Sequence, residues 1–183
     1  METVFDRIAE EYDSTFTDSY IGKAQRGVVW SYVDNFLKDK KELNILELNC
    51  GTGEDAIHFA RMGHNVLATD QSIAMLEITR RKVDSEKLNN KINIRQLDIL
   101  QLSEQEFKQK FDLIFSDFGG LNCINRNNLV NLSETIKQNL TTSGRLIFVI
   151  MSNYCAWESL YYLLKLKFKE SRRRKIKSVE KID

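Results

Sequence analysis

The chain has 183 residues, of which 42% are hydrophobic and 29% charged, with a formal net charge of +1. That length suits one domain with a single core, the composition is that of a water-soluble globular protein, and no apolar run approaches a membrane span. The near-zero charge gives no overall pull toward nucleic acid, and Cys50, Cys123 and Cys155 lack the spacing of a disulfide framework or zinc knuckle.

Met1 to Glu11 alternates charged and apolar residues, which excludes a signal peptide and makes a cytoplasmic setting the expectation. Phe5, Ile8, Ala9 and Tyr12 recur at helical spacing, and Val29, Val33, Phe36 and Leu37 mark a second helix from about Gly22 to Leu37. Residues 1–40 are therefore expected to form N-terminal helices, 41–151 the α/β core, and 152–183 a C-terminal helix and basic tail. In the core, Asn44 to Leu48 reads as a strand, and Glu54 to Met62 as a helix closed by Gly63. Val66 to Thr69 is the second strand, ending at Asp70, and Ser72 is placed to cap the helix carrying Ile73, Leu76 and Ile78. Ile92 to Leu97 and Phe111 to Phe115 are the third and fourth strands. After Gly119-Gly120 a helix presents Leu129, Leu132, Ile136 and Leu140, and Ser143-Gly144 turns into a fifth strand, Leu146 to Met151. Regular alternation of strand and helix predicts an α/β fold, a Rossmann-like doubly wound parallel sheet with helices on both faces.

Four strands end at or beside an acid: Glu47, Asp70, Asp98 and Asp117. Ligands of parallel α/β sheets sit at the carboxyl ends of the strands, so these residues build one acidic rim. A nucleoside triphosphate needs a lysine or a metal at such a mouth, and the turn Asn49-Cys50-Gly51-Thr52-Gly53 has no G-K-[ST] to supply it. An acid-lined mouth fits a cation bearing hydroxyls. S-adenosylmethionine, with a sulfonium, an ammonium, a ribose diol and no phosphate, meets that requirement. The two histidines, His58 and His64, are too few for a metal centre, and none is expected.

These residues resemble the class I S-adenosylmethionine-dependent methyltransferases, small-molecule type. Glu47-Leu48-Asn49-Cys50-Gly51-Thr52-Gly53 is similar to their glycine-rich motif, with Asn49 where glycine is commonest. Asp70, followed by Gln71-Ser72-Ile73, resembles the ribose-binding acid, Asp98-Ile99 the adenine-binding segment, and Phe111 to Asp117 the motif facing the methionine end. Phe5-Asp6-Arg7-Ile8-Ala9-Glu10-Glu11-Tyr12-Asp13 resembles the opening of many small-molecule members, in which the tyrosine helps close the pocket; Tyr12, and with it Tyr20, is a lid candidate on that ground. The resemblance therefore implies a cofactor site of Tyr12, Glu47, Asn49, Gly51, Gly53, Asp70, Gln71, Asp98, Ile99 and Asp117. It implies S-adenosylmethionine as cofactor and methyl transfer to a small-molecule acceptor by in-line displacement. No catalytic base is assigned, although Asp117 is the best-placed carboxylate for one.

The chain departs from the family where the fold ordinarily adds an antiparallel hairpin after strand five. Asn153 to Phe168 can supply a helix, but the residues beyond it are Lys- and Arg-rich and too few for two strands. The fifth strand is then expected at an exposed edge, covered or paired with a second copy. The fourth motif, Ser116-Asp117-Phe118-Gly119, lacks the Pro-Pro-aromatic pattern that holds a flipped adenine, and the chain has no proline for a Pro-Cys nucleophile; both argue against a nucleic-acid acceptor. Phe5, Tyr12, Phe16, Tyr20, Trp30, Phe118 and Trp157 are candidates to line an acceptor pocket. Two alternatives stay open: Gly51 to Ala56 also fits the G-x-G-x-x-A of an NAD-binding oxidoreductase, against which Glu54 and Asp55 would repel a pyrophosphate, and the fold can persist as a nonenzymatic cofactor-binding module. The run Arg172-Arg173-Arg174-Lys175-Ile176-Lys177 is read as a solvated terminus in preference to a contact with nucleic acid or an acidic surface.

Overall fold

The computed structural model describes residues 4–118, 120–124 and 126–152, with 162, 164, 165 and 167. Helix α1 (Val4–Tyr12) passes through one π-helical turn, Asp13–Thr17, and then α2 (Tyr20–Leu37), whose N-cap Ser19 accepts the Gly22 N–H at 3.0 Å. Strands β1 (Asn44–Leu48), β2 (Asn65–Asp70), β3 (Ile92–Gln96), β4 (Phe111–Ser116) and β5 (Leu140–Phe148) alternate with α3 (Glu54–Arg61), α4 (Ile73–Ser85) and α5 (Arg126–Asn139). All pairings are parallel in the order β3-β2-β1-β4-β5, so the chain reverses direction across the sheet between β1 and β4. That reversal opens a crevice at the strands' carboxyl ends.

The central strand β1 is buried on both faces, and its side chains alternate between two cores. Ile45 packs with Val33, Leu37, Ala56, Phe59, Val66 and Phe115 beneath α2, α3 and α4, where Phe59 meets Phe115 edge to face at 5.1 Å. Leu46 and Leu48 pack on the other side with Leu102, Ile114, Leu132 and Ile136, under α5 and the 3-10 turns of Ile99–Glu104. Helix α1 does not join either core. It rests on α4, where Ala9 touches the Met75 and Ile78 cluster, Asp6 Oδ1 accepts the Ser72 hydroxyl at 2.6 Å, and Arg81 pairs with Glu10 at 2.6 Å.

Element order and the doubly wound parallel sheet follow the sequence expectation, but the last crossover differs. Helix α5 stops at Asn139, and Leu140 belongs to β5, which therefore begins six residues before the predicted strand and ends at Phe148. Phe111 pairs with Leu140 and Leu113 with Arg145, so the predicted turn is absorbed as a bulge in β5. Thr141 Oγ1 donates to Asp112 Oδ1 at 3.2 Å, and a Cβ on Gly144 would stand 3.0 Å from the Phe111 carbonyl oxygen. Among the described residues the sheet has five strands and β5 forms one edge. Apart from residues 162, 164, 165 and 167, the expected helix at 153–168 lies outside the described residues, as do Trp157 and the basic run at 172–177, and among those described no helix is long and apolar enough to cross a membrane.

Candidate functional site

The loop between β1 and α3 is wound by left-handed residues: Asn49 has φ 59°, Gly51 54° and Gly53 82°. Asparagine tolerates this region where most side chains do not, which is why the loop keeps its turn with Asn49 at its first position. Gly51 turns its N–H to Asp70 Oδ2 at 2.9 Å, and a Cβ there would enter open space beside the crevice. Gly53 serves a different end. A Cβ on it would lie 2.5 Å from Thr79 Cγ2, and Thr79 in turn donates its hydroxyl to the Gly51 carbonyl at 2.9 Å. Gly53 thus locks the loop onto α4.

At the end of β2, Asp70 also accepts the Ser72 N–H at 2.9 Å through Oδ1, and Ser72 caps α4 through the Met75 N–H at 3.1 Å. Each carboxylate oxygen retains a further lone pair for a ligand hydroxyl. Burial pushes the Asp70 carboxyl up, against the backbone hydrogen bonds that hold it down. Asp98 accepts the Leu100 N–H at 2.9 Å and so caps the 3-10 segment that carries Ile99. A pocket of about 180 Å³ opens among these residues, lined by Phe5, Tyr12, Asn49, Gly51, Asp70, Gln71, Asp98, Ile99, Asp117 and Phe118. A shallower groove of about 460 Å³ lies at the opposite end of the strands, lined by Asn44, Asn65, Arg95 and Lys108, away from the crevice.

Behind the pocket a buried polar cluster spans four elements. Arg26 of α2 pairs with Asp55 of α3 at 2.8 Å and lies 4.6 Å above the Phe118 ring, and the Trp30 indole N–H reaches the other Asp55 oxygen at 2.6 Å. Glu47 and Asp117 face this cluster, only 2% and 7% exposed. Glu47 Oε2, Asn49 Oδ1 and Asp117 Oδ2 are buried without a hydrogen-bond partner in the protein. Acceptors so placed are costly unless something supplies a donor. Burial, reinforced by the charge on Asp55, pushes the Asp117 carboxyl up to about 7 despite the Phe118 N–H and Arg26. Burial pushes Glu47 well above its usual range as well.

Of the ten predicted site residues, eight line the pocket, Glu47 stands behind it and Gly53 beneath it. Tyr12 is among the eight, but Tyr20 is 96% exposed on the outer face of α2 and is no lid residue. Phe16 meets Phe118 edge to face at 5.0 Å, whereas Trp30 stacks on His58 at 4.0 Å and serves the Asp55 cluster. The expected repulsion of a pyrophosphate by Glu54 and Asp55 is cancelled in part, since Lys82 and Arg26 neutralise them. Asp13 accepts the Thr52 hydroxyl at 2.7 Å just ahead of α3 and pairs with the same Lys82. Arg26, Lys82 and Asp13 were not singled out by sequence, because each gains its role only through a distant partner. No cluster of His, Cys, Asp or Glu fit to hold a metal occurs among the described residues.

Residues 45–144 match the family model of a methyltransferase domain. A solved S-adenosylmethionine-dependent methyltransferase from Clostridium acetobutylicum ATCC 824 is 27% identical, with a TM-score of 0.61 over 83% of this chain and 59% of that one. A DhpI–SAH complex shares the fold at 20% identity and a TM-score of 0.63, over 81% of this chain and 66% of that one. The tRNA 5-carboxymethoxyuridine methyltransferase of Escherichia coli (strain K12) is 25% identical over 88 residues, which are 47% of this chain and 34% of that protein. The chain thus spans about a third of the length of that curated relative.

Proposed function

The chain belongs to the methyltransferase domain family, and on that premise we propose that it binds S-adenosylmethionine in the crevice and transfers its methyl group to a small organic acceptor. The observation that carries this reading is the pocket lined by Asp70, Asp98 and Asp117, with unpartnered acceptor oxygens on Asn49 and Asp117 and on Glu47 behind it, and no lysine or arginine in its lining among the described residues. Such a lining favours a cation rich in donors over a phosphorylated ligand. Asp70 would hold the ribose hydroxyls, Asp98 and Ile99 the adenine, Asn49 and Gly51 the backbone approach, and Glu47 with Asp117 the amino-acid end.

Bound there, the cofactor supplies a methyl group already activated by its sulfonium. The protein's part is alignment and exclusion of water. Tyr12 and Phe118 cover the pocket from α1 and from the end of β4, and Phe16 braces Phe118, which makes an aromatic wall suited to a planar or apolar acceptor. Asp117 can take a proton from an acceptor that must lose one. An NAD-binding reading is disfavoured because the described lining of the pocket offers a pyrophosphate three carboxylates and no cation.

The test has two stages. Calorimetry with S-adenosylhomocysteine against NAD is expected to give binding of the former alone; tight NAD binding alone would overturn the reading. Transfer of labelled methyl is then assayed across small phenols, amines, thiols, carboxylates and bulk tRNA. An RNA acceptor, which the relative acting on tRNA brings to mind, would appear as label in the tRNA fraction only.

A further inference from the structure

Glu47 and Asp117 point to the same side of neighbouring strands, since Glu47 pairs in register with Phe115, two residues before Asp117. Asp117 Oδ1 takes the Phe118 N–H at 2.6 Å, which leaves Asp117 Oδ2 and Glu47 Oε2 without partners. The cation that faces them is Arg26, whose Nη1 donates to Asp55 at 2.8 Å and whose Nε is buried without a partner in the protein. The other groups turned toward the pair or its neighbours are Tyr12 from α1, Asp13 from the π-helical turn, Asp55 from α3 and Asp70 from β2, all neutral or acidic; His58 acts on Asp55 from behind Trp30. One guanidinium cannot balance three enclosed carboxylates. Like charges so deeply enclosed do not all ionise.

Resting on the reading of the pocket as a S-adenosylmethionine site, we propose that the buried Glu47 and Asp117 carboxyls carry a proton in the ligand-free protein and release it as the cofactor's ammonium and sulfonium enter. The incoming positive charge replaces the proton as counter-charge, and the proton passes to solvent. The two residues then favour a cationic donor by making its binding compete with hydronium. Burial pushes both carboxyls up, that of Asp117 to about 7, which puts the competition at physiological pH. Below about pH 7 the affinity falls as acid refills the pair, by up to about tenfold per pH unit for one proton. The ligand's own amino group, with a reference value near 7.7–8.0, takes up a proton on binding as ammonium, and only at more alkaline pH; its effect has the opposite sign.

The experiment is calorimetric titration of the full chain with S-adenosylmethionine at pH 5.5, 6.5 and 7.5, in two buffers of unlike ionisation enthalpy. The expected result is release of close to one proton at pH 5.5–6.5 and an affinity that rises roughly tenfold between those two values. Asp117→Asn is expected to bind with most of that slope and release removed, and Glu47→Gln to behave alike. Flat affinity without proton release in the native chain overturns the inference, as does unchanged release in both variants. Should Glu47→Gln not fold, the native proton count and Asp117→Asn decide it. Absence of binding at every pH defeats the proposed function itself, a result distinct from binding without protons.

Discussion

Replacing Asp117 by asparagine is expected to stabilise the ligand-free protein at alkaline pH. In the native chain a carboxyl with an ordinary value of 3.8 is pushed up to about 7. A carboxyl raised in the folded state contributes its full stability in acid and loses it as pH rises from about 4 through about 7. At about 1.4 kcal/mol per pH unit, the full charging penalty is about 4 kcal/mol. Asp117 is 7% exposed, so solvent screens little of it, although water entry and local relaxation reduce the realised gain to about 2–4 kcal/mol. Asparagine keeps the Oδ1 acceptor for the Phe118 N–H and never ionises. Urea unfolding at pH 8 should therefore give Asp117→Asn the higher midpoint, and the gap should shrink to under about 1 kcal/mol at pH 4. An equal offset at both pH values, or a less stable variant at pH 8, would refute the charge argument.

Other perturbations test the surrounding architecture. Asp70→Ala should weaken S-adenosylhomocysteine binding by about 1.5–3 kcal/mol, read by calorimetry, since it removes hydrogen bonds to a charged group; unchanged affinity would take Asp70 out of the ribose role. Gly53→Ala should cost about 2 kcal/mol or more in urea unfolding, from a φ of 82° and from the 2.5 Å approach to Thr79 Cγ2. Adding Thr79→Ala should recover the steric part and leave the backbone part. Lys82→Met should lower stability by about 1 kcal/mol and speed hydrogen exchange in α1, because Lys82 bridges Asp13 and Glu54. Burial alone would raise the Asp13 carboxyl, yet the hydrogen bonds from Lys82 and Thr52 hold it below its usual range. Its contribution is thus present at neutral pH and lost on acidification, and in Lys82→Met that acid sensitivity should be reduced.

The crevice was legible because its signals are local. An apolar strand, an acid, a left-handed asparagine and two glycines follow one another within Ile45–Gly53, and each local preference agrees with the fold. Asp70 and Asp98 were readable for the same reason, Asp70 closing β2 and Asp98 standing two residues past the end of β3. The boundary of β5 was not. Thr141, Thr142, Ser143 and Gly144 have turn chemistry, and only the bond from Thr141 to Asp112 and the pairing with Phe111 draw them into the sheet. Arg26 was equally hidden, as an arginine on a helix of mixed polarity reads as solvated until Asp55 and Phe118 enclose it. The charge argument against pyrophosphate failed at Glu54 for a like reason, since Lys82 lies a whole crossover away.

The hold of α1 on α4, through Asp6 to the Ser72 hydroxyl and Glu10 to Arg81, has a kinetic consequence. Tyr12 is carried by that same helix, so whatever occupies the space beneath it departs no faster than the helix lifts. On the proposed reading, dwell time in the crevice would respond to the part-buried Asp6–Ser72 contact and the exposed Glu10–Arg81 pair, so that tightness and turnover could be altered separately.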